Sequence, residues 1–397
     1  MGDVLDDLLR DFHAGRVSRR QLLQVLGAAA VMRPMAALAQ GTCGGANASL
    51  PRCNPTPAKL PFQPTGWTTV LLDHFSMQVA DYKKEAAFFE ALMNWKIRSD
   101  DGTQAVLDIG DWGGLIIKGG YQPPAPAPAP PGTSAGAAGA AGAAPPNGAA
   151  GGRGGGRGGG RGTPRQAVMT GFCWGISPWD AKKVEAQLRK LGLDPVPDHD
   201  PKNAFESFHV KDPGGFDLQI SNGNRKNRRR QPPAGSLGVP APFDATDWKT
   251  VWLDHMSFTV ADYKKNVAFY AALLGWKPGT DEGSLNQVQI GDVGDALIRG
   301  GNALDPNFGR GRAAADGTPG PLLPPQPSRI DHISFGIVPF DPDAVKTELA
   351  KRGLAAREDT GNTGDIHQTR YKSYHTTTPN GFDLQISNLT FATRGPL

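Results

Sequence analysis

The sequence predicts an α+β protein of four tandem βαβββ modules, paired into two curved mixed-sheet domains with a cavity each. Three observations predict it. The segment Leu72 to Lys84, LDHFSMQVADYKK, recurs as Leu253 to Lys265, LDHMSFTVADYKK. Phe172 to Asp180, FCWGISPWD, is matched by Ile333 to Asp341, ISFGIVPFD. Gly215 to Ser221 and Gly381 to Ser387 both read GFDLQIS. Repeats of this length imply duplication of one folding unit and pseudo-symmetric stacking of its copies.

The elements follow in order within each unit. The apolar runs around His74 and His255 read as first strands. Tyr82, Phe89 and Met93, and then Tyr263 and Tyr270, recur near helical spacing. Short extended pieces follow at Gln104–Ile109 and Gly114–Lys118, and again at Asn286–Ile290 and Ala296–Arg299. In the other two units the first strand is followed by a helix with Val184, Leu188 and Leu191 on one stripe, or Val345 and Leu349. Gly192 and Gly353 stand where a left-handed helix cap belongs. The units therefore run A, B, A′, B′, and whether they pair as A–B with A′–B′ or across copies is open.

The chain has 397 residues, enough for two domains. Hydrophobic residues make up only 39%, because many of the 52 glycines and 35 prolines crowd into stretches that build no core. These give the boundaries. The first domain spans 67–222 with a Gly/Pro/Ala-rich insertion at 121–166. A basic linker, 223–247, precedes the second domain, 248–389, which contains a flexible loop at 302–328. A linker, 40–66, and a tail, 390–397, flank the pair.

Residues 1–39 read as a twin-arginine signal peptide. Arg19 and Arg20 open an apolar stretch, Leu22 to Met32, too short to span a membrane, and Ala37-Leu38-Ala39 is a small-x-small cleavage site. A periplasmic or secreted location is expected, with no membrane span. Arg153, Arg157 and Arg161 are spaced by glycines, but without interleaved aromatics they read as linker, and no nucleic-acid partner is expected. Net charge is a modest +4. Cys43 and Cys53 either pair across a short loop or stay free. Cys173, inside a strand, reads as a small buried apolar residue.

A strand–helix–three-strand unit with His on its first strand, and a last strand introduced by Pro-x-Gly, resembles the vicinal-oxygen-chelate superfamily of glyoxalases, bleomycin-resistance proteins and extradiol dioxygenases. In that family two units enclose one cavity, and their first and fourth strands supply metal ligands. Carried onto this chain, the first-strand positions are His74, Gly171, His255 and His332. The last-strand positions are Gln219 and Gln385, where Glu is usual, and Ile117 or Lys118 and Ile298 or Arg299. The second domain thus retains His255, His332 and Gln385. The run His367, Tyr374, His375, Pro379, Gly381, Gln385 resembles the extradiol signature, with His375 in the usual Tyr position and Gln385 in place of Glu.

The resemblance implies a divalent metal (Fe, Mn, Ni or Zn) held by His255, His332 and Gln385. Asp383, two residues before Gln385 and on its face of the strand, is placed to supply the missing charge. His375 and His367 are the candidate acid–base groups. Two imidazoles and an oxygen donor leave open positions for a chelating small-molecule substrate. The expected function is a metal-dependent dioxygenase or glyoxalase-type lyase acting in the second domain. The alternative is a non-catalytic small-molecule-binding protein, with Trp174, Phe335 and Tyr374 lining the pocket. A homodimer is compatible with either.

Overall fold

The computed structural model describes residues 59–123, 165–201, 204–224, 226, 237–301, 310, 317–318, 320–322, 327–361 and 364–393. The signal peptide, Cys43, Cys53 and most of the Gly/Pro-rich insertion lie outside the described residues.

Unit A is β1 (Thr68–Val79), α1 (Tyr82–Met93), β2 (Lys96–Asp100), β3 (Gln104–Ile109) and β4 (Gly113–Lys118). Unit B is β5 (Ala167–Ser177), α2 (Ala181–Lys190), β6 (Val196–Asp200), β7 (Phe205–Lys211) and β8 (Asp217–Ser221). Unit A′ repeats the order as β9 (Lys249–Val260), α3 (Tyr263–Leu274), β10 (Lys277–Asp281), β11 (Leu285–Ile290) and β12 (Gly294–Gly300). Unit B′ has β13 (Arg329–Val338), α4 (Pro342–Lys351), β14 (Arg357–Asp359), β15 (Ser373–Thr377) and β16 (Asp383–Ser387).

Each helix opens on an aspartate whose carboxylate accepts a backbone N–H: Asp81 from Lys84, Asp180 from Lys183, Asp262 from Lys265 and Asp341 from Ala344. This satisfies a donor that the first helical turn leaves orphaned. Gly192 (φ 75°) and Gly353 (φ 68°) follow α2 and α4 in the left-handed conformation their positions predicted. The two helix types differ in what they bury. α2 and α4 bury only Val184 and Leu188, and Val345 and Leu349. α1 and α3 are buried on nearly every side, as helices enclosed between sheets must be.

The strands form two eight-stranded sheets, β2-β3-β4-β1-β5-β8-β7-β6 and β10-β11-β12-β9-β13-β16-β15-β14. Units therefore pair as A with B and A′ with B′, through antiparallel β1–β5 and β9–β13. Within each unit the first and last strands are parallel neighbours. The first and last strands of both units thus meet at the middle of each sheet.

The period-two alternation sorts side chains onto two faces. Phe75, Met77 and Val79 enter the core, whereas Ser76 and Gln78 face a cavity. The core faces of the two sheets pack together, A against B′ and B against A′. Trp95 meets Phe335 edge-on at 5.1 Å, and Trp174 meets Trp276 at 5.5 Å. The Trp95 indole N–H donates to Thr250 Oγ1 (2.8 Å) and that of Trp276 to Thr69 Oγ1 (2.9 Å), a reciprocal pair across the interface. Trp174, Phe335 and Tyr374 are all buried core residues. The opposite face of each sheet forms an outward-facing cup.

Candidate metal centre

In the second sheet His255, Ser334 and Gln385 lie in register across β9, β13 and β16, and His332 lies two residues before Ser334 on the same face. The His255 and His332 rings converge, Nε2 to Nε2, at 3.0 Å. Both residues are buried.

A register irregularity fixes His255. Between Leu253 and His255 the pairing with β13 skips Asp254, which is the extra residue of a β-bulge. A bulge re-aims side chains that strict alternation would send to opposite faces. Asp254 therefore points into the cup beside His255. Its Oδ1 is 3.1 Å from His255 Nδ1, and its Oδ2 accepts from Ser334 Oγ (2.8 Å) and the Tyr371 hydroxyl (3.0 Å). Burial alone would raise the Asp254 pKa. The adjoining His255 ring and hydrogen bonds from Ser387 and Ser334 outweigh it and hold the carboxyl below its usual range. With Nδ1 tied to Asp254, His255 turns Nε2 toward His332. Burial, aided by His255 and His375 alongside, depresses the His332 pKa and keeps that ring neutral, the form that ligates metal.

The remaining candidates form an adjoining network. His375 packs edge-on to His332 at 4.9 Å, and ligand-capable atoms of His332, His375 and Asp383 lie within 4.8 Å of one another. His375 Nδ1 is 3.2 Å from Asp383 Oδ2 and its Nε2 is 3.3 Å from Asp359 Oδ2. Burial works against a charged His375 ring, but the two carboxylates outweigh it and push its pKa up to about 9. Asp383 Oδ1 accepts from Arg357 (2.7 Å). Gln385 Nε2 contacts Ser373 Oγ (2.7 Å), the Tyr371 hydroxyl (2.9 Å) and Asp359 Oδ2 (3.4 Å), leaving Oε1 buried with no hydrogen-bond partner. His367 lies apart, exposed, with Nε2 3.8 Å from Asp343 of α4. Among the described contacts none joins His367 to the other candidates.

The first sheet repeats this network. His209 lies 3.0 Å from Asp217 and 3.4 Å from Asp198, while Gln219 Nε2 reaches Ser207 Oγ (2.7 Å) and Asp198 (3.2 Å). His74 is likewise held by Asp73 at 2.8 Å. The position of His332, however, is taken by Gly171, so His74 faces no second imidazole. Asp73 and His74 instead lie near Cys173, a fully buried thiol whose pKa burial raises well above the ordinary value.

Asp254, Asp359 and Tyr371 were not singled out from the sequence. The signal for Asp254 was present in the repeated Leu-Asp-His of β1 and β9. Tyr371 belongs to unit B′ alone, in the connection 360–372 that replaces the short 201–204 of unit B.

No family model matches the chain and no curated protein matches it. Among solved structures it is similar to a Mn(II)-bound glyoxalase from Novosphingobium aromaticivorans, with 11% identity and a TM-score of 0.47 over 81% of this chain and 82% of that one. It is also similar to native homoprotocatechuate 2,3-dioxygenase from Arthrobacter globiformis, with 15% identity and a TM-score of 0.48 over 84% and 82%. Identities this low leave the chemistry to be read from this chain's own side chains.

Proposed function

We propose that the second domain is a divalent-metal site of a dioxygenase or glyoxalase-type enzyme acting on a small substrate with neighbouring oxygens. The observation that carries the proposal is the 3.0 Å convergence of His255 Nε2 and His332 Nε2. Two nitrogens each about 2.1 Å from one ion at a right angle stand roughly 3.0 Å apart. The donor set fits such an ion. His332 is neutral, His255 is oriented by a carboxylate as metal-bound imidazoles commonly are, and Gln385 Oε1 is a buried oxygen without a partner.

His255 and His332 would hold the ion, with Gln385 Oε1 as the third donor. When bound, the ion supplies Lewis acidity toward two adjacent substrate oxygens, or a binding place for dioxygen. The protein's part is orientation. Asp254 fixes the His255 tautomer, and Ser334 and Tyr371 fix Asp254. His375, held between Asp359 and Asp383, is the acid–base group nearest the pair, and Asp383 brings negative charge beside it. A second reading, binding without turnover, is favoured by the recurrence of the His–Asp–Gln network in the first sheet, where the imidazole pair is missing.

The leader supports export through the twin-arginine route, which carries folded proteins. Replacing Arg19 and Arg20 by Lys should leave the protein in the cytoplasmic fraction; unchanged fractionation would count against export by this route. The metal reading is tested by purifying the protein anaerobically and measuring divalent metal per chain. Near-stoichiometric metal, lost in a His255→Ala/His332→Ala variant, is expected. Absence of metal after reconstitution with Fe, Mn, Ni and Zn would overturn the metal reading and favour the binding module.

A further inference from the structure

The first sheet's cup contains a cavity of about 760 Å³, within the range of roughly 300–1,000 Å³ that takes small-molecule ligands. Its connection 201–204 is short, whereas the counterpart in the second sheet, 360–372, turns Tyr371 inward to Asp254 and Gln385. Gly171 also lacks the imidazole that His332 puts into the second cup. The two sides of the cavity differ. Unit A contributes Val106 on β3 and Ile116 on β4, register partners that form an apolar strip. Unit B contributes Asp198 and Asp200 on β6, His209 on β7, and Asp217 and Gln219 on β8. These strands occupy opposite halves of the sheet, with β1 and β5 between them.

The wall is acidic on balance. Asp73, Asp198, Asp200 and Asp217 line it. Of its cations, Arg98 is already paired with Asp108, which lies outside the wall. His209 stands between Asp217 at 3.0 Å and Asp198 at 3.4 Å, so one ring is shared by two carboxylates. The hydrogen bond to Asp217 leads in raising its pKa, which favours the charged ring. Lys118 lies near Asp217, and Lys211 reaches it at 4.0 Å. Positive charge therefore gathers on Asp217. Asp198, exposed at the mouth, keeps a share of His209 and a hydrogen bond from the Gln219 amide.

The neutral groups add acceptors rather than donors. Gln219 is only 4% exposed. Its Nε2 donates to Ser207 Oγ (2.7 Å) and Asp198 Oδ2 (3.2 Å). This orientation is forced. Ser207 spends its one hydroxyl hydrogen on the Asp198 main-chain carbonyl, so it can only accept from Gln219, and a carboxylate only accepts. Oε1 is the end of the amide left for the cavity, and no group among the described residues donates to it. His74 follows the same logic. Its Nδ1 hydrogen goes to Asp73 at 2.8 Å, which leaves Nε2 of the neutral ring an acceptor. Thr170 and Asn222 spend donors within the protein, on Ser76 O and Ala204 O. A buried acceptor without a donor costs free energy that a ligand bringing donors recovers.

We propose that this cup binds a small organic cation, an ammonium group on an apolar skeleton, at a site separate from the imidazole pair. An ammonium brings three N–H donors, no acceptor and a positive charge. That matches Gln219 Oε1 and the Asp198 and Asp217 carboxylates beside it. The skeleton lies across the cup against Val106 and Ile116. A bare metal ion would leave most of the cavity and its apolar strip unused.

The test is calorimetric titration of the full-length protein with 2-phenylethylamine, cyclohexylamine and hexylamine. 2-Phenylethanol and phenylacetate serve as uncharged and anionic counterparts of the same skeleton, and Mn²⁺ as an inorganic cation. Two variants report on the site. Asp198→Asn removes one charge at the mouth and keeps the side chain's shape. Thr170→Trp places an indole in the cavity from an exposed strand position. Thermal melting checks that both fold, and either alone carries the test. At least one amine is expected to bind once per chain, with 2-phenylethanol and phenylacetate at least roughly tenfold weaker. Amine binding should weaken roughly tenfold or more in each folded variant and stay unchanged in His255→Ala/His332→Ala. No amine binding up to about 10 mM, or equal binding of 2-phenylethanol, would overturn the proposal. So would amine binding that neither variant weakens. Mn²⁺ binding that persists in His255→Ala/His332→Ala and is lost in Asp198→Asn would make the cup a metal site instead and overturn it too.

Discussion

Where the second sheet carries His332 opposite Asp383, the first carries Gly171 opposite Asp217. Around that exchange the two cups share a framework. Each has an Asp–His pair on a bulged first strand, and each has a histidine clamped between two aspartates beside a glutamine held by a serine. The recurrence of this framework without the second imidazole separates what the two cups share from what distinguishes them. The imidazole pair and Tyr371 are what the second cup adds; open volume is what the first cup keeps. Duplication has thus left one hydrogen-bonded scaffold serving two different interiors.

The sharpest way to break the comparison is His332→Gly, which gives the second cup the residue of the first. Bound metal should fall from near one per chain to under about a tenth, since one imidazole then holds what two held. Elemental analysis measures it, and retained metal would detach the ion from the pair. The reverse exchange is not symmetrical. A Cβ on Gly171 would meet the Asp217 carbonyl oxygen at 2.7 Å. Gly171→Ala should therefore destabilise the protein by about 1–3 kcal/mol in urea unfolding, so one substitution does not rebuild the pair in the first cup.

Tyr371→Phe removes a hydroxyl shared by Asp254 and Gln385 and should cost about 1–3 kcal/mol, with the imidazole pair kept. Unfolding midpoints and metal content together check this; metal lost without destabilisation would make Tyr371 part of the ion's own surroundings.

A fourth test lies at the interface between the sheets. Glu85 is buried, and although Asn380 donates to it, burial dominates and raises its pKa. Its equivalent in unit A′ is Asn266, which carries no charge. A carboxyl whose folded pKa is raised contributes stability that is fully present below its unfolded pKa and lost as pH rises through the folded value. Glu85→Gln should therefore gain stability relative to the parent as pH climbs above the ordinary glutamate range, and show no such gain below it. Denaturation across pH 4 to 8 would reveal this; a pH-independent difference would contradict it. The smallest effect is expected for His367→Ala, within about 0.5 kcal/mol in stability and with metal unchanged, because His367 stands against Asp343 away from the pair.

Much of the fold was legible because duplication printed each strand and helix signal twice. Aspartate caps, Gly192, Gly353 and the alternation around His74 and His255 all act locally. The pairing of units was not legible, since every first strand offers a similar edge and local pattern does not name its partner. Within the site, His255 and His332 were legible as strand residues facing a cup. Asp254 was legible only as a repeated neighbour of His255, because strict alternation sends it to the opposite face and only the bulge brings it back. Asp359 and Tyr371 come from a long connection whose path depends on tertiary packing. The sequence directs attention to the second cup because only that one retains His255, His332 and Gln385 together. The volume that Gly171 and the short 201–204 connection leave behind has no signature in a list of ligands.

The most direct test of the central claim is X-ray absorption spectroscopy of the metal-loaded protein and of His332→Gly. The account predicts imidazole scattering from two rings, at about 2.0–2.1 Å for a zinc-loaded sample, reduced to one ring or lost with the metal in the variant. Sulfur scattering near 2.3 Å, unchanged by the substitution, would place the ion beside Cys173 in the first cup and contradict it.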